Sequence, residues 1–410
     1  MGGRRTAPPR PPHPFFLIII KGVRGGLFPP GGFWGTTPGG RNPPPFGLPP
    51  PCSAKGVFAG EPFFPPRPPP PPDCGNHDAE FHTLLEGAAW VDFGQPGLVT
   101  LSGPDHLEFF GGLTTNQVRH VSTTRTLYSA LLTPQGRYLY DFTMAKTATA
   151  PDRLLLVTES DDVSALIRQI TFYRLRAPVQ INNDQTRCHL LGLIGPAAGL
   201  AIGRLFPGLA WADAALGATF TPEPDLHLWR DPRHAGFGWR LLIPEAQWSS
   251  MSTRLTVALP PAGWTAWEAC RIHHALPRGG QELIPQETLP LEAGLLEMNG
   301  VDFGKGCYVG QETTARTQHR GTIKKRLFQI TGLPGAGALG ATVQRPDGKE
   351  VGSITSHCPQ TGAALAMLRL SDVEDAPESL QVQGKPVTVH KPSWAQWSGC
   401  PELSSTQPVS

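Results

Sequence analysis

The chain has 410 residues, too many for one small core, so two or three packed units are expected. A formal net charge of +2 leaves no polyelectrolyte character, which argues against a dedicated nucleic-acid binder. Seven cysteines, at 52, 74, 188, 270, 307, 358 and 400, form no Cys-x-x-Cys pair, which argues against a disulfide framework or a self-contained zinc site and fits a reducing compartment.

Residues 1–76 differ from the rest. Close to half of the 46 prolines fall there, with runs such as Pro43-Pro44-Pro45. Proline fixes φ and removes a backbone donor, so neither helix nor sheet propagates. A disordered extension is expected. The next methionine after Met1 is Met144, so translation begun upstream of a non-Met start near residue 76 would also yield such a segment. The basic, acid-poor composition suits an organelle transit peptide as well, although the prolines oppose the amphipathic helix that such peptides form. The apolar run Phe15 to Ile20 is far shorter than the roughly 20 residues of a membrane span, so no membrane partner is expected.

From residue 77 the pattern becomes globular. Leu98 to Ser102 reads as a strand ending at Gly103, and Pro104-Asp105-His106 opens a helix whose apolar face runs through Leu107, Phe110 and Leu113. Leu127 to Leu132 and Tyr138 to Met144, joined by Pro134-Gln135-Gly136, read as a hairpin. Leu154 to Val157 is a strand, Asp161 to Leu175 a helix, and Val179 to Ile181 a strand. Leu190 to Pro196 runs from strand to helix without the Gly-x-Gly-x-x-Gly spacing of a dinucleotide site. Trp264 to Leu276 is an amphipathic helix on which Cys270 and His274 share a face, a pair better explained by packing than by metal binding. Short apolar runs between 327 and 392, separated by turns, suggest a small β-barrel or sandwich. Interleaved strands and helices indicate an α+β or α/β core.

Chemistry concentrates at Gly304-Lys305-Gly306-Cys307-Tyr308-Val309-Gly310-Gln311-Glu312. The three glycines imply sharp bends or close approaches. Gln311 to Arg320 is a helix candidate ended by Gly321, which puts Cys307 near a helix N-terminus with Lys305 close by. Both features favour a thiolate, as a nucleophilic or metal-ligating cysteine requires.

Lys305-Gly306-Cys307-Tyr308-x-Gly310-Gln311-Glu312, with Leu291-Glu292-Ala293-Gly294 before it and Thr314-Ala315-Arg316-Thr317-x-His319-x-Gly321 after it, resembles the signature of the YgfZ family, and especially its mitochondrial members. Leu113-Thr114-Thr115-Asn116 and Gly136-Arg137-x-Leu139-x-Asp141 are similar to the opening of the wider glycine-cleavage T-protein superfamily. The resemblance implies an α+β fold of three subdomains around a central folate-binding hole, with a C-terminal β-barrel. It divides the chain into an extension (1–76), a folate-binding region of two subdomains (77–326), a barrel (327–392) and a tail (393–410).

The function implied is support of iron–sulfur cluster assembly or repair, including clusters of radical tRNA-modifying enzymes, by a transferase-like fold that serves as a maintenance factor. Tetrahydrofolate is the implied cofactor, and a transient iron–sulfur cluster the implied cargo. Cys307 and Lys305 are the implied reactive residues. Asn116, Asp141, Glu292, Tyr308, Gln311, Glu312 and Arg316 are the implied folate contacts. Implied partners are iron–sulfur enzymes or cluster carriers, and the basic stretch from Arg316 to Arg326 offers a folate tail, a partner or RNA a charged face. The implied location is the cytosol, or the mitochondrial matrix in a eukaryote. The alternative, an aminomethyltransferase of glycine cleavage, is disfavoured by the cysteine motif.

Overall fold

The computed structural model describes residues 75–158, 163–321, 323–333, 337–375 and 379–397. The expectations for residues 1–74, and for most of the tail, lie outside those residues.

The first helix, α1 (His77–Glu86), starts on a reciprocal cap. The Asn76 side chain accepts the Ala79 N–H at 3.3 Å, while the Glu80 carboxylate accepts the Asn76 N–H at 3.1 Å. β1 (Ala89–Asp92) and β2 (Gly97–Ser102) follow, and β2 turns into α2 (His106–Gly111) where the sequence placed that transition. The hairpin is β3 (Leu127–Leu132) and β4 (Tyr138–Thr147), with β5 (Ala150–Thr158), α3 (Val163–Arg174) and β6 (Gln180–Asn183) after it. These strands form an antiparallel sheet of order β3-β4-β5-β2-β6. Phe110 of α2 and Leu166 and Ile170 of α3 share one core with Leu101, Phe142 and Leu154 of the strands. Burial of each such side chain contributes about 1.5–3 kcal/mol, enough to hold helices too short to stand alone.

A second sheet, β1-β7-β10-β9-β8, uses β7 (Cys188–Ile194), β8 (Thr219–Phe220), β9 (His227–Arg230) and β10 (Trp239–Pro244). Helices α4 (Ala198–Leu205) and α5 (Trp248–Ala258) pack on it through Ile202, Met251 and Leu255. β7 runs into α4 by a plain turn, as expected.

The next helix, α6 (Trp264–His273), stops three residues short of the expected Leu276. Ala275 takes φ 52°, and the buried Arg271 guanidinium holds the Leu276 carbonyl at 2.5 Å, turning the chain back. Cys270 is wholly buried in the core, and no three potential metal ligands cluster among the described residues.

After α7 (Gln311–Arg320) come β11 (Lys325–Thr331), β12 (Thr342–Gln344), β13 (Glu350–Cys358), β14 (Ala363–Arg369), α8 (Leu370–Asp375), β15 (Gln381–Val382), β16 (Lys385–Pro386) and β17 (Thr388–His390). The strands form a nearly closed seven-stranded barrel of order β16-β15-β12-β13-β14-β11-β17. The expected α+β architecture with a C-terminal barrel is therefore present.

One apolar cluster joins the three sheets: Leu84, Leu132, Tyr138, Trp267, Tyr308 and Leu365 all belong to it. Arg271 reinforces this hub, donating to Glu282 at 3.0 Å and to Ser356 of β13 at 2.7 Å. No described helix is long and apolar enough to cross a membrane.

Candidate functional site

The cysteine loop is held by a segment far away in the chain. Thr115 donates its hydroxyl to the Gly300 carbonyl at 2.6 Å, and Asn116 donates its amide to the Asn299 carbonyl at 2.8 Å. The Asp302 N–H reaches the Thr115 carbonyl at 3.0 Å, and the Val309 N–H reaches the Gly112 carbonyl at 3.1 Å. Leu113-Thr114-Thr115-Asn116 thus forms a buckle over residues 299–309. Thr114 and Thr115 are wholly buried there, so their hydroxyls need partners: Thr115 finds the Gly300 carbonyl of the loop, and Thr114 donates to the Asn116 carbonyl at 3.1 Å.

Lys305 belongs to the same fastening. Its ammonium donates to the Gly111 carbonyl at 2.7 Å and to the Thr114 carbonyl, and lies 4.9 Å from the Tyr308 ring centroid. Burial pushes its pKa down to about 8. This ammonium, expected to steady a Cys307 thiolate, is engaged with two carbonyls and so braces the loop. Lys305→Met is expected to cost about 1–3 kcal/mol by leaving those carbonyls unpaired. A urea melt checks this, and an unchanged midpoint would remove the bracing role.

Of the motif's glycines, only Gly310 is sterically required. It sits at φ +83°, and a Cβ there would lie 2.5 Å from the Thr133 carbonyl and 3.0 Å from the Gly136 Cα. A Cβ on Gly136, at φ +78°, would lie 2.7 Å from Thr313. The tip of the β3–β4 hairpin therefore rests directly on the entry to α7. The ladder has a register irregularity at Leu131/Leu132, beside that contact. Gly304 and Gly306 take no positive φ, and a Cβ on Gly306 would meet nothing within 4 Å.

Cys307 follows that bare glycine and is exposed. It lines an open pocket of about 360 Å³ with Leu107, Glu108, Gly111, Gly112, Gln117, Arg119, Lys305 and Gly306. Helix α7 begins at Gln311 and ends on the left-handed Gly321, as the sequence indicated. Among the four described cysteines, Cys270 and Cys358 are buried and Cys188 is partly so. Burial pushes the Cys188 thiol up to about 11 and the Cys270 thiol up to about 12. Brief iodoacetamide treatment near neutral pH is expected to label Cys307 first among these four, read by peptide mass mapping; earlier labelling of Cys188 or Cys270 would contradict the assignment.

The residues expected to hold folate do not all converge. Asp141 on β4 accepts the Tyr138 hydroxyl at 2.5 Å on one oxygen and the Tyr128 hydroxyl at 2.9 Å on the other. Burial, then the Asp141 charge, raises the Tyr128 pKa well above the usual phenol range, so Tyr128 stays a donor. The backbone at Gly279 packs close against this carboxylate, since a Cβ there would lie 2.8 Å from Asp141 Oδ1. Glu292 is half-buried; burial raises its pKa, partly offset by Lys325 and Arg137.

Asn116 is engaged within the buckle. Its amide nitrogen serves the Tyr128 and Asn299 carbonyls, each at 2.8 Å, and its oxygen takes the Gln117 N–H at 2.8 Å. Glu312 and Arg316 pair with each other on the exposed face of α7. Tyr308 is buried in the hub with its pKa pushed up to about 12 by burial, and Gln311 sits half-buried in the first turn of α7. Arg326, expected on the basic face, is buried: it donates to the Leu291 carbonyl at 2.8 Å, pairs with Glu297 at 3.1 Å and packs 4.2 Å from the Trp397 ring centroid. Lys324 and Lys325 remain exposed. Sequence reasoning missed Glu108, Gln117 and Arg119 beside Cys307, and Tyr128 and Tyr138 beside Asp141. The only local signal was the density of small and polar residues from Gly111 to Gln117.

Comparison with known proteins gives a consistent picture. Residues 69–227 match the GCVT N-terminal domain, and residues 324–397 match the CAF17 C-terminal beta-barrel domain. The chain is 34% identical over 300 residues to the mitochondrial iron–sulfur cluster assembly factor IBA57 of Homo sapiens, covering 68% of this chain and 78% of that protein. The Mus musculus protein of the same name is 32% identical over 302 residues, with the same coverage. Among solved structures, the glycine cleavage system aminomethyltransferase T of Bartonella henselae superposes with a TM-score of 0.66 at 17% identity, over 78% of this chain and 90% of that one. That likeness is one of fold.

Proposed function

The chain belongs to the IBA57 family of iron–sulfur cluster assembly factors, and from that membership we propose that it maintains iron–sulfur enzymes through the thiol of Cys307. The observation that carries the reading is the contrast among the described cysteines. Cys307 alone of the four is exposed, and it stands on a loop braced from behind by Lys305, Thr115 and Asn116. Such a loop presents a thiol to a macromolecular partner without a conformational change.

A four-iron cluster takes about four ligands, so one thiolate leaves the remainder to a cluster carrier or client enzyme. The cluster is cargo, held between this chain and its partner. Four-iron enzymes, including radical enzymes that modify tRNA, are the clients this role would reach. The mitochondrial branch of the expected location is the one this reading adopts, in line with the names of the relatives.

Tetrahydrofolate fits the same reading. Its ring and amine nitrogens bring N–H donors and one titratable nitrogen. Asp141, oriented by the Tyr128 and Tyr138 hydroxyls, would accept an N–H donor of the folate, and Glu292 would accept paired N–H donors. Residues 77–326 would form this folate-type region, with the barrel closing it. Asp141→Ala is expected to weaken folate binding at least about tenfold by removing a charge-assisted acceptor. Unchanged affinity by calorimetry would take Asp141 out of the site.

The functional test is rescue. Cells lacking their own IBA57-type factor should regain four-iron enzyme activity when given this chain; failure to rescue with the protein present would count against the proposal.

A further inference from the structure

Two features of the Cys307 pocket go unused by the function proposed above. The pocket is an open one of about 360 Å³, room for a small molecule, yet a partner protein needs only the exposed sulfur. It also carries opposite charges. Arg119 follows the buckle, Glu108 projects from α2, both are exposed, and neither makes an ion pair among the described residues. Gln117 adds an amide, while Gly111, Gly112 and Gly306 keep the walls free of side chains.

A guanidinium and a carboxylate beside a thiol suit a guest that carries a carboxylate, an ammonium and a sulfur of its own. We propose that the pocket binds a small zwitterionic thiol of amino-acid or short-peptide type, whose sulfur lies next to that of Cys307. Arg119 takes the guest's carboxylate, Glu108 takes its ammonium, and the two sulfurs face the same cargo. This deepens the function proposed above and rests on it. It supplies a second non-partner thiolate where one protein thiolate falls short of the roughly four ligands a cluster needs.

Disulfide exchange with oxidised glutathione as probe tests the site. The Cys307 thiolate attacks one sulfur of the probe, the probe's S–S bond breaks, a Cys307–glutathione bond forms, and the second half leaves as a thiolate that takes up the proton Cys307 lost. The rate is compared with that for an uncharged disulfide, 2-hydroxyethyl disulfide, and with iodoacetamide alkylation as a measure of plain thiol reactivity. The native chain should favour oxidised glutathione over the uncharged disulfide. Arg119→Ala and Glu108→Gln should each cut that preference about fivefold, with alkylation unchanged. An equal preference in the native chain and both variants would overturn the site. The two proposals fail separately: loss of the charge preference leaves the cellular role of Cys307 standing, and a Cys307→Ser chain that still rescues cells leaves the pocket standing.

Discussion

Gly310→Ala is expected to destabilise the protein by about 2–4 kcal/mol and to displace the cysteine loop with it. Two costs add. The residue sits at φ +83°, where an L side chain is strained by about 1–2 kcal/mol. The added carbon would also meet the Thr133 carbonyl at 2.5 Å and the Gly136 Cα at 3.0 Å, both backbone atoms that move only if the hairpin moves. That hairpin carries Asp141, and Gly310 follows directly on the loop carrying Cys307, so one methyl group disturbs both proposed sites. For a domain with a net stability of about 5–15 kcal/mol, this is a large fraction. Gly306→Ala is the matched control, because its backbone takes no positive φ and its Cβ would meet nothing within 4 Å. Urea melts should separate the pair clearly; equal midpoints would show that the hairpin does not bear on Gly310.

Cys307→Ser is expected to do the reverse, leaving the fold intact and removing the function. The side chain is exposed, so replacing sulfur with oxygen creates no cavity and strands no buried partner, and stability should hold within about 0.5 kcal/mol. A hydroxyl, however, stays protonated at neutral pH and is a poor ligand for iron, so any step that needs a thiolate is lost. Stability and function should thus part at Cys307 and fall together at Gly310.

What could be read from the sequence was local. The β3–β4 hairpin, the entry to α2 and the end of α7 at Gly321 each follow from a turn or cap signal next to an apolar pattern, and each stands where it was expected. The family resemblance supplied the architecture that periodicity alone could not. The support of the site was not legible, because its contacts span the chain: the Thr115–Gly300 bond joins residues 185 apart. A lysine two positions from a cysteine suggests an electrostatic partner, and the two carbonyls that the fold brings to its ammonium are invisible in the sequence. Arg326 looks like part of a basic run until it proves to turn inward onto Glu297 and Trp397. Asn116 carries the superfamily pattern, yet the structure engages its amide within the buckle. In each case the fold supplies contacts that the local sequence does not show.

The most direct test places the Cys307→Ser chain in cells lacking their own IBA57-type factor and measures aconitase activity against protein level. The account predicts that the serine variant accumulates like the native chain and leaves aconitase as inactive as in cells without the factor. Full aconitase activity with the variant would contradict it, and would make the signature cysteine a structural residue of a folate-type fold.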